Sequence, residues 1–283
     1  IRPSSKNHRL QTCRQGSPEL FPGLYKIYHN YRSKNATLAR GIRGIYFQSY
    51  AVTMENVVII FLKYPEPGKV KTRLAKDIGN EKACAIYKLL AEKVIKNVLT
   101  KDLVTYTVHF FFTPADRENE IKDWLKSILD NSQTIGTKYS PQEGNTLGDR
   151  MSNAFKQTLQ REGCKRCIII GTDCPEIDAT TIESVFEILK GKDIVIGPCK
   201  DGGYYLLGTS RFVPDLFVDI DWSTDRVFKQ TMKKVQKNNL FCNILKILTD
   251  IDTQEDFYRY GCHNSFTLNA GSATDKVISP GTK

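Results

Sequence analysis

The sequence predicts an α/β protein: a single domain built on a mostly parallel sheet with helices on both faces. Three observations carry this. Short runs rich in apolar residues recur, at Val57–Leu62, Cys167–Ile170 and Asp193–Ile196, and they fit strands buried on both faces. Between them lie stretches with helical spacing, such as Ile86, Leu89, Leu90, Val94, Ile95 and Val98, where one face is apolar. The two patterns alternate along the chain, as crossover connections between parallel strands require.

In order, Val57–Leu62 reads as the first strand, followed by a Pro/Gly loop, PEPGKVKTRLA. Glu81–Leu99 reads as a helix and the β-branched, aromatic Thr105–Thr113 as a strand. Pro114–Leu129 suits a helix, and so does Leu147–Leu159, where Met151, Phe155 and Leu159 repeat every four residues. Cys167–Ile170 is a strand, Ala179–Leu189 a helix, Asp193–Ile196 and Tyr204–Leu207 strands. Trp222–Lys237 reads as a helix, Phe241–Leu248 as a late strand and Thr253–Tyr260 as a short final helix. The sequence contains no internal repeat.

Composition narrows the class. Of 283 residues, 40% are hydrophobic and 25% charged, as in ordinary globular proteins. Collagen-like, wholly disordered and disulfide-knot chains are excluded. No stretch approaches the roughly 20 apolar residues of a membrane helix. The net charge of +10 would suggest a polyanionic partner, but it is unevenly spread. Residues 1–53 hold nine basic residues and one acid, net +8, which leaves +2 for the other 230. The body is near neutral, and nucleic acid is not expected as a partner.

Residues 1–53 lack an apolar period and read as a disordered leader. They are either upstream sequence read in frame, with Met54 as the start, or an Arg-rich, acid-poor organelle transit segment. The domain is expected over 54–261, with 262–283 a loose polar tail. Eight cysteines without a secretory apolar segment suit a reducing compartment, hence the cytoplasm, or an organelle if the leader is a transit segment. Cys164 and Cys167 have CxxC spacing, but no second pair accompanies them. Reduced thiols at a turn and a strand start are expected rather than a zinc site.

In open parallel sheets the chemistry sits beyond the carboxyl ends of the strands. That rule selects three loops. After the first strand come Gly68, Lys69, Lys71 and Arg73. Gly68 permits close approach of the backbone, and the three cations suit phosphate oxygens. The spacing is neither a P-loop nor GxGxxG, so a solvated basic turn is the competing reading. After Ile170 comes Gly171-Thr-Asp173-Cys-Pro175, where Asp173 suits a Mg²⁺ or Mn²⁺ ligand or, more plainly, a helix cap. After Ile196 comes Asp201-Gly202-Gly203, which reads alone as a tight hairpin turn. Asp219, Asp221 and Asp225 around Trp222 add acids that also fit the first turn of a capped helix.

Taken together, PEPGKVKTRLA, NTLGDRM, GTDCP, GPCKDGGYYLLG and DWSTDRVFKQT occur in that order. Through them the sequence resembles the family of domain of unknown function 2064 (DUF2064). Members of that family are called radical-SAM/selenodomain-associated transferase 1 or arsenosugar-biosynthesis glycosyltransferase. The resemblance covers about Val57 to Tyr260. It implies the nucleotide-diphospho-sugar transferase fold, which resembles the A-type glycosyltransferase fold. It extends to guanylyltransferases of small phosphorylated acids, which have a similar basic loop and a DGG-like loop.

The resemblance implies that Gly68, Lys71 and Arg73 meet the nucleotide phosphates; Lys69, Asp201, Gly202 and Gly203 are further candidates for nucleotide or phosphate binding. It implies that Asp173 takes the metal, Mg²⁺ or Mn²⁺. Only one carboxylate stands where a DxD motif has two, so a second ligand is needed, with Asp201 or Asp221 as candidates. The expected function is a metal-dependent transferase using a nucleotide-activated donor. A glycosyltransferase acting on a small-molecule acceptor comes first, with Asp221 or Asp225 as base. The alternative is a nucleotidyltransferase that joins a nucleoside triphosphate to a phosphorylated small molecule and releases pyrophosphate. The oligomeric state is left open.

Overall fold

The computed structural model describes residues 55–99, 105–129, 137–161 and 163–264. The expected leader, 1–53, lies outside these residues, as does the tail beyond 264.

Among the described residues, seven strands form one sheet: β1 (Asn56–Lys63), β2 (Thr107–Thr113), β3 (Lys138–Pro141), β4 (Arg166–Ile170), β5 (Ile194–Pro198), β6 (Tyr204–Thr209) and β7 (Cys242–Ile244). Their spatial order is β3-β2-β1-β4-β6-β5-β7. All neighbours pair parallel except β6, which runs antiparallel to both β4 and β5. The helices are α1 (Thr72–Ile78), α2 (Asn80–Val98), α3 (Glu118–Ile128), α4 (Leu147–Leu159), α5 (Ala179–Ile188), α6 (Val227–Lys237) and α7 (Gln254–Asn264). The predicted fold class, a mostly parallel sheet covered on both faces, is the observed one.

The strands alternate their side chains between two cores. Val58, Ile60 and Leu62 of β1 face one way, with Val108, Phe110 and Phe112 of β2, and are covered by Ala91 and Val94 of α2, Ile121 and Leu125 of α3 and Ile182 of α5. Val57 and Ile59 face the other way, with Ile169 and Ile196, and are covered by Met151 and Phe155 of α4 and Val235 of α6. This explains the unbroken apolar run of β1: both faces are buried, so no polar alternation survives. A smaller cluster of Leu74, Ile86, Leu90 and Ile251 joins α1 to α2 beside the sheet.

Four expected elements differ. The stretch read as a loop after β1 contains α1, which is seven residues long and is preceded by its N-cap Lys71, whose carbonyl accepts from the Ala75 N–H. Its prolines, glycine and close-set cations hide a helix whose one fully buried residue is Leu74. Strand β3 passes unseen in the sequence because it is four residues long and half-buried at best. Helix α6 begins at Val227 rather than Trp222. Before it, Ser223 takes a left-handed φ of 65° and the Thr224 hydroxyl donates to the Asp221 carbonyl, so the chain turns there instead of coiling. Strand β7 is only Cys242–Ile244. The residues after it still follow β5, through Leu245 N–H to Ile196 O and Leu248 N–H to Pro198 O. None of the described helices is long and apolar enough to cross a membrane.

Candidate functional site

The carboxyl ends of β1, β4, β5 and β7 share one rim, and a cleft of about 500 Å³ opens there. Lys71, Thr72 and Arg73 enter it from the loop after β1, and Gly171 to Cys174 from the loop after β4. Cys199, Asp201 and Gly203 come from the β5–β6 hairpin. Asp250 and Asp252 line the cleft from the segment after β7. Phe61, Leu147, Arg150, Met151, Tyr204 and Trp222 also line it.

Lys71 is the centre of the charged end. It precedes α1 in the left-handed region, φ 46° and ψ 46°, which costs a non-glycine residue about 1 kcal/mol or more. That backbone aims its side chain inward, where it is 3% exposed. Its Nζ lies 2.6 Å from Asp173 Oδ1 and 2.8 Å from Asp252 Oδ1. Burial works against the ammonium charge, but the two carboxylates outweigh it and hold its pKa above that of an ordinary lysine. Arg73 Nη1 is 3.7 Å from Asp252 Oδ2 and mostly exposed. The Ile251 N–H donates to the Asp173 carbonyl, which ties the β4 and β7 loops together and fixes the spacing of Asp173 and Asp252.

On the facing hairpin, Asp201 Oδ1 accepts from the Gly203 N–H at 2.8 Å. Gly202 has φ 88°, and a Cβ there would lie 2.1 Å from the Asp225 carbonyl oxygen, so both the turn and the close approach demand glycine. Cys199 Sγ, an Asp201 oxygen and an Asp250 oxygen lie within 4.8 Å of one another. Burial, with the charges of Asp201 and Asp252 nearby, pushes the Asp250 carboxyl up to about 6.

Of the residues selected from sequence, Lys71, Arg73, Asp173, Asp201 and Gly203 line the cleft. Gly68, Lys69 and Gly202 do not, although Gly68 and Gly202 shape the turns that present their neighbours. Asp221 and Asp225 are also outside its walls. Asp221 Oδ2 pairs with Arg226 at 3.2 Å and accepts from Gln230 at 2.7 Å, and Asp225 packs its backbone on Gly202. That geometry gives the Asp221 carboxylate structural work in the turn before α6. The solvated-turn reading of the basic loop fails for Lys71, which is buried. The cap reading fails for Asp173, since α5 is capped by Asp178, whose Oδ1 accepts from the Thr181 N–H. The hairpin reading of Asp201-Gly-Gly holds alongside its place in the cleft. Cys164 and Cys167 are free thiols, just before β4 and within it.

Sequence reasoning missed Asp250, Asp252, Arg150 and Trp222. The two acids follow the late strand at its carboxyl end, so the rule that selected the other loops was the available signal. Trp222 enters the cleft because Gly148 of α4 leaves room for it: a Cβ there would lie 2.2 Å from the indole nitrogen.

The sequence profile of a family described as an uncharacterized protein conserved in bacteria (DUF2064) matches residues 96–224. The 2-phospho-L-lactate guanylyltransferase of Methanocaldococcus jannaschii is 28% identical over 201 residues, 70% of this chain and 80% of that protein. The enzyme of the same name from Methanocaldococcus vulcanius is 25% identical over 211 residues, 74% of this chain and 87% of that one. A crystal structure of a protein provisionally designated a nucleotide-diphospho-sugar transferase, from Desulfovibrio desulfuricans G20, superposes with a TM-score of 0.66. It is 31% identical and covers 76% of this chain and 91% of that one. With the profile match and that solved relative in agreement, the chain belongs to the DUF2064 family, within the nucleotide-diphospho-sugar transferase superfamily.

Proposed function

We propose that the protein is a nucleotidyltransferase that joins a nucleoside triphosphate to a small phosphorylated acid. An oxygen of the acceptor's phosphate attacks the α-phosphorus, the bond to the bridging α–β oxygen breaks, and pyrophosphate leaves. The observation that carries this is the charge arrangement: Asp173, Asp201, Asp250 and Asp252 beside Lys71 and Arg73 at one rim. A polyanionic leaving group in a confined cleft needs cations on its oxygens and acids to hold a divalent ion. Relatives named guanylyltransferases support the second of the two sequence expectations over the first.

The residues present fit a hard divalent ion. Carboxylate oxygens suit Mg²⁺ or Mn²⁺, and a cation, the Lys71 ammonium, already stands between Asp173 and Asp252. Asp173 and Asp252, with the neighbouring Asp250 and Asp201, are the residues that would hold the ion. When bound, it neutralises charge on the triphosphate. Arg73, exposed at the mouth, forks onto two phosphate oxygens. The Asp201–Gly203 turn borders the nucleotide's path. Trp222 and Tyr204, ring centroids 6.4 Å apart and edge to face, form an apolar wall that orders the organic part of a substrate.

The test is product release. The protein is incubated with Mg²⁺ or Mn²⁺, a panel of nucleoside triphosphates and a panel of small phosphorylated acids that includes 2-phospho-L-lactate. Pyrophosphate from one pair is the expected outcome. Asp173→Asn should lower that release on the order of 100-fold, as removal of one electrostatic stabiliser does elsewhere. Release of a nucleoside diphosphate from a nucleotide sugar, with no pyrophosphate from any triphosphate, would establish glycosyl transfer instead. That second reading is kept by the 31% identity to the provisionally designated nucleotide-diphospho-sugar transferase.

A further inference from the structure

We infer that the Lys71 ammonium is a built-in occupant of the divalent cation's place, and that cation and lysine exchange there. The inference rests on the cation-dependent reading above only for the identity of the incoming ion.

Asp173 and Asp252 come from different loops, yet their Oδ1 atoms converge on one Nζ at 2.6 and 2.8 Å. Two carboxylates brought together repel unless a cation lies between them, and the Ile251-to-Asp173 backbone bond prevents the loops from drifting apart. Lys71 supplies that cation. Its side chain is nearly inaccessible, whereas the carboxylates it bridges are 43% and 33% exposed. An ion arriving from solvent therefore reaches the acids from the open side while the lysine holds them from the inner side. A divalent ion outcompetes a single ammonium for two carboxylates, and Asp250 adds a further acid that Lys71 does not bridge.

The lysine is built to leave. It is the residue before α1, and its main chain is anchored by its own carbonyl to the Ala75 N–H at 2.8 Å, so only the side chain has to swing. Its four-carbon stem has the freedom to do so. Lys71 and Arg73 line the same cleft, so an ammonium released from the acids would stay near the phosphates of an entering nucleotide. Exchange would thus deliver the cation to the carboxylates and the lysine to the phosphates in one step. The lone protein would keep its acids neutralised.

The experiment reads cation binding without nucleotide, so its failure is separable from a failure to release pyrophosphate. Mn²⁺ is titrated calorimetrically into the nucleotide-free wild type, Lys71→Met and Arg73→Met, with folding of each verified by circular dichroism. Lys71→Met should bind Mn²⁺ about tenfold more tightly or better, a shift of one decade in affinity. Arg73→Met removes the same unit charge from an exposed site near Asp252 and should gain far less, because screening weakens it. Equal or weaker binding by Lys71→Met, or an equal gain in both variants, overturns the exchange. A second arm uses the wild type, where folding is not in question. The Lys71 ammonium, shielded and ion-paired, should give a resolved side-chain ¹⁵N resonance that shifts or disappears as Mg²⁺ saturates the protein. A resonance unmoved at saturation overturns it as well.

Discussion

His109 shows how one buried side chain sets a pH response. It sits in β2, 1% exposed, with Nε2 2.9 Å from the Ser140 hydroxyl of β3. Burial, with Arg161 and Lys138 nearby, depresses its pKa from 6.5 to about 3. The folded state therefore holds neutral histidine where the unfolded chain binds a proton. Stability from this group is complete above about 6.5 and is lost as pH falls toward 3. His109→Gln should melt with a shallower pH dependence than the wild type between those limits, by thermal melts at closely spaced pH. An unchanged slope would exclude His109 as the source. At the same scale, Lys71 shows why counting charges was a poor guide. Three cations were taken from the basic loop, and the fold buries one, aims a second at Asp252 and leaves Lys69 outside the cleft.

Among the elements, the helix following Asp173 tests where a carboxylate is used for structure. Asp178 caps α5 with Oδ1 accepting from both the backbone N–H and the hydroxyl of Thr181, at 2.8 and 2.7 Å. Asp178→Ala should cost about 1 kcal/mol, read as a lower denaturant midpoint, while activity in the folded protein stays unchanged. Asp173→Asn, five residues earlier, should lose activity on the order of 100-fold while the α5 cap stays intact. The pair separates a cap from a site on one loop. Elements with strong patterns were legible to within a few residues: β1, α2, α4 and α5 lie where their apolar spacing put them. The missed elements lacked pattern. Helix α1 has one fully buried residue, β3 has none, and the segment before α6 is helix-compatible in composition but broken by a left-handed serine.

For the whole molecule, the site depends on chain segments far apart in sequence. Lys71 and Asp252 are 181 residues apart and are brought within 2.8 Å by the order of the sheet. A double-mutant cycle of Lys71→Met and Asp252→Asn, followed by denaturant unfolding, should give a coupling energy of about 1 kcal/mol or more. Additive effects would mean that the contact contributes nothing to stability. The same convergence decided which acids enter the cleft. Asp221 and Asp225 were selected for their company around Trp222; Trp222 lines the cleft, whereas Asp221 pairs with Arg226 and neither acid is among the lining residues. Asp250 and Asp252 had no motif around them and lie at the centre.

The sequence by itself determined the class of fold, the strands and helices with marked periodicity, the three loops at one rim and the family. Each is local, written in runs of a few residues through burial and turn chemistry. Only the tertiary structure decided which carboxylates meet, that Lys71 is buried between two of them, and that Arg150 and Trp222 line the same cleft. Those facts depend on strand order and on the angle at which loops leave the sheet. Neither is encoded in any one segment, because a site at a sheet rim is assembled from residues whose only shared property is where the packing delivers them.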